Sequence, residues 1–115
     1  MALSNAGKNV CLDALGGVAG FVSLHTADPG TTGASEVTGG TYARKSHTWN
    51  AASSGNLDNS NQPVFDVPAS TTVTHFGLWS ASTSGTFYGG GSLSASESFT
   101  AAGQYTLTDC DVTLT

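Results

Sequence analysis

Hydrophobic positions change period once along this chain. Between residues 4 and 15 they recur at four-residue spacing, with Ala6, Val10 and Ala14 in one row and Cys11 and Leu15 in the next. That is the spacing of a helix face. Ser4 stands where an N-cap is wanted, its hydroxyl able to accept from a free N–H of the first turn. Gly16 and Gly17 follow where a left-handed residue would end the helix. So short a helix is unstable alone in water. Residues 1–17 are therefore expected to act as a helical anchor, packed on the sheet of the same chain or on a protein beneath it. Leu3, Val10 and Leu15 are its candidate contact residues.

From there on the period is two, and residues 18–115 read as a single β domain. Phe21 to His25 form a strand. Asp28-Pro29-Gly30 is a turn in which Asp accepts locally, Pro fixes φ and Gly supplies positive φ. Residues 27 to 40 make a long Gly/Thr/Ser loop. Tyr42 to Trp49 alternates, with Ala43, Lys45, His47 and Trp49 opposite Tyr42, Arg44, Ser46 and Thr48. Neither side is cleanly apolar, so this strand is expected to face solvent or lie at a contact. Residues 50 to 61 form a second loop. Pro63 and Pro68 bracket Val64, Phe65 and Val67, which suits an edge strand or a strand end. Val73 to Ser80 is the clearest strand. Ser82 to Gly85 turns the chain into Thr86 to Tyr88; Gly89-Gly90-Gly91 breaks that strand and suggests a bulge or close backbone approach, and Leu93 resumes it. Strands at 97–100, 104–107 and 111–114 complete the pattern. Turns about every 8–12 residues predict a small antiparallel β-sandwich or barrel-like domain. Its expected core is Val22, Leu24, Phe65, Val67, Val73, Phe76, Leu78, Trp79, Phe87, Leu93, Phe99, Tyr105, Leu107, Val112 and Leu114.

Composition narrows the function. Gly, Ser and Thr fill 46 of the 115 positions, and charged residues only 10%, which suits an all-β domain and argues against a helical bundle. The 3 Lys and Arg against 8 Asp and Glu give a net charge of −5. So few cations cannot form the phosphate-neutralising patch of a nucleic-acid binder. No segment approaches the run of about 20 apolar residues that crosses a bilayer. Cys11 and Cys110 lie far apart without metal-ligand spacing, and two separate free thiols are expected, with a disulfide joining the two ends as the alternative.

Candidate chemistry is sparse. His25, His47 and His75 fall on strands without a metal-site spacing. With 15 serines, a Ser near a His carries little weight, and no GxSxG is present. Asp109 and Asp111 share a strand face and could flank Ca²⁺, with Asp28 and Glu36 a second option. A solvated edge is the plainer reading of the first pair. Tyr42, Trp49 and Tyr88 could stack on sugars if exposed. No catalytic residue, metal or cofactor is expected.

A resemblance enters on longer stretches. Leu3 to Asn9, Val22 to Gly30 (VSLHTADPG), Gly33 to Arg44 (GASEVTGGTYAR), Val73 to Trp79 and Gly85 to Gly89 resemble small virion proteins of tailed bacteriophages, with actinobacterial phages the expected source. Such proteins are described as head-decoration, tail-fibre or minor tail proteins. The resemblance implies a non-enzymatic structural protein displayed on the phage particle and made in the host cytoplasm. Capsid decoration is the leading expectation, and a tail-fibre or minor tail protein the alternative. The expected partners are the major capsid protein or tail proteins, with further copies of the chain as a trimer. A host-surface glycan is a further candidate. Tyr42, Arg44, His47 and Trp49 suit a subunit contact, while Arg44 and Lys45 read most simply as a solvated strand end.

Overall fold

In the computed structural model, which describes residues 1–114, one helix precedes eight strands. The helix α1 (Asn5–Val18) begins as expected. Ser4 is the N-cap, and its Oγ accepts from Gly7 N at 3.2 Å. Its end differs from expectation. The helix runs through Gly16 and Gly17 and closes at Ala19, whose N–H donates to Leu15 O at 2.8 Å. Docking of this last turn carries the helix past the glycines. A Cβ on Gly16 would stand 3.4 Å from Trp49 and 3.6 Å from Leu57, so this turn of helix lies close against both side chains.

Strands β1 (Phe21–His25), β2 (Lys45–Ser46), β5 (Thr71–Trp79) and β6 (Phe87–Phe99) form one antiparallel sheet in the order β2-β1-β5-β6. Two antiparallel ribbons pack with it: β3 (Asn56–Leu57) with β8 (Val112–Thr113), and β4 (Val64–Val67) with β7 (Gly103–Thr106). The result is a small antiparallel all-β domain carrying a single N-terminal helix. Its core is Val22, Leu24, Val37, Phe65, Val67, Val73, Phe76, Leu78, Leu93, Leu107 and Cys110, with Ala19 at the helix end. Phe87, Phe99, Tyr105, Val112 and Leu114, expected inside, are half-buried at its margin.

Four readings need correction. The Tyr42–Trp49 strand shrinks to Lys45–Ser46, because Tyr42 and Arg44 turn their polar groups inward, away from any ladder. His47 accordingly lies outside the strands. The loop at 50–61 contains a tight hairpin in which Ser53 and Asn56 exchange N–H···O bonds of 2.9 Å. Ser54 (φ 53°) and Gly55 (φ 74°) form its turn, as a two-residue hairpin with two positive φ values requires. Finally, the glycines at 89–91 do not break β6. They bring its backbone close, since a Cβ on Gly90 would stand 2.4 Å from Phe76 O. One bulge does occur there, with Tyr88 extra between the Leu78–Gly89 and Trp79–Phe87 pairs. A larger one sets Leu93 to Ser96 against the single residue Thr74.

Strand β4 separates the two faces of the domain at adjacent positions: Phe65 is fully buried and stacked near Tyr42, whereas Val64 is 42% exposed. Phe65→Ala should lower stability by about 3–5 kcal/mol through lost burial and a cavity. Val64→Ala should change it by under about 0.5 kcal/mol, as expected at the surface. Urea unfolding of both variants checks the assignment, and equal losses would contradict it.

Candidate functional site

Polar side chains concentrate where the long loop at 27–40 meets the sheet. The Asp28-Pro29-Gly30 turn forms as expected, with Gly30 N donating to Asp28 Oδ1 at 2.9 Å. The chain then returns beside β1, and Val37 N donates to Leu24 O at 2.9 Å. This places Glu36 beside Arg44. The guanidinium grips the carboxylate with two bonds of 3.0 Å, from Nε to Oε2 and from Nη2 to Oε1. Its Nη1 donates to the carbonyls of Ala81 at 3.1 Å and Ser84 at 2.8 Å, in the β5–β6 turn. Its Cζ lies 3.6 Å from the Trp79 ring centre, a cation–π position. The Tyr42 hydroxyl donates to Glu36 Oε2 at 3.0 Å and accepts from Leu24 N at 2.9 Å. Burial, the largest influence, pushes the Tyr42 phenol far above its ordinary pKa.

A second relay begins on the same tryptophan. Trp79 Nε1 donates to Ser23 Oγ at 2.8 Å, and Ser23 Oγ lies 2.6 Å from His25 Nε2. His25 Nδ1 lies 2.7 Å from Ala34 O. A carbonyl can only accept, so Nδ1 carries the proton and Nε2 accepts from Ser23. Burial pushes the His25 pKa below its ordinary value, against the raising effect of the Ala34 carbonyl. This is the arrangement of a hydroxyl with its base, yet both residues are fully buried. Its geometry serves to tie the loop to the sheet. Gly77 leaves the room, since a Cβ there would stand 2.6 Å from His25 Nε2 and 2.7 Å from Ser23 Oγ. The missed signal was the i, i+2 spacing of Ser23 and His25, which puts both on one face of β1.

His47 differs. It is 4% exposed, and neither ring nitrogen has a hydrogen-bond partner among the described residues. Its ring meets Trp49 edge-on at 4.4 Å. Burial alone pushes its pKa down to about 4. Trp49 Nε1 donates to Ala19 O at 3.0 Å, and a cavity of about 300 Å³ opens beside it, lined by Asp13, Gly16, His47 and Leu57.

The candidate contact residues therefore divide. Leu3 and Val10 stay exposed, Leu15 is half-buried against the core, and Tyr42, Arg44, His47 and Trp49 are drawn into the fold. Arg44 is not a solvated strand end, because the Glu36 carboxylate, two carbonyls and a ring surround its nearly buried side chain. Of the three candidate sugar-stacking rings, Tyr88 is the exposed one, at 40%. Neither calcium option gathers a site. Asp28 and Glu36 are occupied as described. The neighbouring Asp58 carboxyl, then burial, then Asp109 push the Asp111 pKa up to about 7, as expected where carboxylates crowd together. Among the described residues, no group of three or more His, Cys, Asp or Glu is arranged to hold a metal ion. Cys11 is an exposed free thiol, and Cys110 is buried, which pushes its pKa up to about 12.

These contacts define a β-rich domain whose polar side chains clamp irregular loops onto a sheet. A family model described as podophage GP4 fiber I protein gp80 matches residues 2–115. The chain belongs to that family, which makes it a fibre-type structural protein of the bacteriophage virion. No curated protein matches it.

Two measurements probe the site. Arg44→Ala should lower stability by about 3 kcal/mol, because it strands a largely buried Glu36. Arg44→Lys should recover less than half, since an ammonium cannot make the two-bond fork. Full rescue by Lys in thermal unfolding would show that charge alone matters. His47 sets a pH dependence. Its folded pKa lies below the unfolded value of 6.5, so its stabilising effect is present above that pH and lost as pH falls toward about 4. The loss reaches about 3 kcal/mol over the window. His47→Leu should therefore gain on the wild type by about that amount between pH 7 and pH 4. A stability difference independent of pH would refute this.

Proposed function

We propose that this protein is a non-enzymatic tail-fibre component of the phage, rather than a head-decoration protein. The observation that carries the reading is the family match, which spans residues 2–115 and is to a fibre protein. The shape agrees: the domain is elongated, 47 × 26 × 23 Å. So does the interior, where the buried Ser23–His25 pair acts as a tie between elements. The protein is made in the host cytoplasm and works on the particle by holding a fixed position. Its partners are neighbouring tail proteins and further copies of itself. A host glycan is a second reading, favoured by one observation, the exposed Tyr88 ring.

Tagging the chain and labelling intact virions with gold should place the label at the tail. Particles without the protein should keep full, heat-resistant heads and lose adsorption to host cells. Gold over the head facets, together with early thermal release of the genome, would restore the decoration reading.

A further inference from the structure

The last strand is held by little. Among the described residues β8 pairs with β3 alone, Asn56 opposite Thr113 and Leu57 opposite Val112. A ribbon that short is marginal by itself. Leu114 N donates to Gly55 O at 3.2 Å, and Thr113 Oγ1 donates to Asn56 Oδ1 at 2.8 Å. The β3 side is firmly placed, because α1 holds the 53–56 hairpin: Asn9 Oδ1 accepts from Gly55 N at 2.9 Å and Asp13 Oδ1 from Ala52 N at 2.7 Å. The β8 side is backed less closely. Val112 and Thr113 line a cavity of about 230 Å³ together with Leu15, Phe76 and Leu78. Among the described residues beyond Leu107, Cys110 is the one buried side chain, and its N–H donates to Asn59 Oδ1 at 3.2 Å.

Acidic groups meet on this ribbon. Continued by one residue, the antiparallel register sets Asp58 opposite Asp111. Side chains so placed are neighbours, and like charges there repel. Asp109 adds a third carboxyl from the same segment. Asp58 Oδ1 accepts from Asn56 Nδ2 at 2.7 Å, which favours its charged form. Asp111 therefore holds the proton of the pair, and Asp58 first, then burial and Asp109, raise its pKa to about 7. Lys, Arg and His are not among the groups that act on it. Cys110, between the two acids in sequence, stays neutral, since burial pushes its thiol up to about 12.

We propose that Asp58 and Asp111 form a proton-operated latch on the C-terminal strand: with a proton between the two carboxyls β8 stays on β3, and when the proton leaves, residues 109–114 swing out. The inference is independent of the fibre reading. The hinge lies after Leu107, which is fully buried and donates its N–H to Pro63 O at 2.9 Å. Opening draws Cys110 from the core and widens the cavity onto Leu15, Phe76 and Leu78. The folded pKa of Asp111 lies above its ordinary value of 3.8. The proton's contribution to closure is therefore complete below about pH 4 and is lost as pH rises through about 7. His47 acts with the opposite sign, losing its contribution as pH falls below 6.5, so the two effects are separable.

Cys11→Ser leaves Cys110 as the sole thiol. Its labelling rate with dithiodipyridine, divided at each pH by the rate for the same chain unfolded in urea, measures opening. EDTA keeps metal ions out. Both carboxyls are exposed and water screens them, so the expected rise between pH 5 and pH 7.5 is about tenfold. In the same background Asp111→Asn should hold the ratio at its low-pH level throughout, and Asp58→Asn should flatten the profile as well. Hydrogen exchange, corrected for intrinsic rates, locates the event: the Leu114 amide should lose protection over this range while the Leu107 amide keeps it. A ratio independent of pH, a rise that survives Asp111→Asn, or equal loss of protection at Leu107 would overturn the proposal.

Discussion

The two-bond grip of Arg44 on Glu36 is the interaction around which the rest of this domain is arranged. The chain has 3 basic residues in 115 and places one of them where its side chain is only 9% exposed. Burying a charge is favourable only when every donor finds a partner. Here the carboxylate and two turn carbonyls take four of the five guanidinium N–H groups, and the Trp79 ring covers its face. Each belongs to a segment that lacks a periodic hydrophobic pattern of its own, or to the strand end beside it. The loop bearing Glu36, the segment bearing Arg44 and the β5–β6 turn are thus fixed relative to one another by a single side chain. Trp79 passes the constraint inward through Ser23 to His25 and so to Ala34. Polar contacts replace the apolar area that a Gly/Ser/Thr-rich loop cannot offer.

Periodic segments were readable from the sequence because burial imposes their period. Strands β1 and β5, the Ser4 cap and the Asp28-Pro29-Gly30 turn stand where the pattern puts them. Val22, Leu24, Phe65, Val67 and Leu107 were legible as core for the same reason. Gly16 and Gly17 misled because a glycine pair signals a helix stop only where packing is indifferent. Here the last turn packs against Trp49 and Leu57, and that contact carries the helix through both glycines to Ala19. Ser54-Gly55 was missed because the strong two-residue hairpin signals put Asn, Asp or Gly first.

The candidate site was less legible, and for a different reason. Tyr42, Arg44, His47 and Trp49 were rightly singled out as residues needing partners. Those partners turn out to lie within the chain, up to 40 positions away at Ser84, and no local pattern encodes a contact of that separation. The exposed side of α1 was the converse case. Its Ala and Val rows are visible in the sequence. That they face outward follows from Asn9 and Asp13 reaching the hairpin, which only the folded chain reveals.

The long bulge in β6 has a consequence for crowding. β6 is the outer strand of its sheet, so any chain crowded against this domain meets that edge. Its 13 residues include one charge, Glu97, and no proline, so sequence offers it little protection against a stray strand docking edge to edge. Setting Leu93 to Ser96 against Thr74 alone interrupts the regular row of outward-pointing amides and carbonyls. What remains on either side is too short and too differently aligned to template runaway sheet growth. The distortion thus guards an edge that charge leaves open.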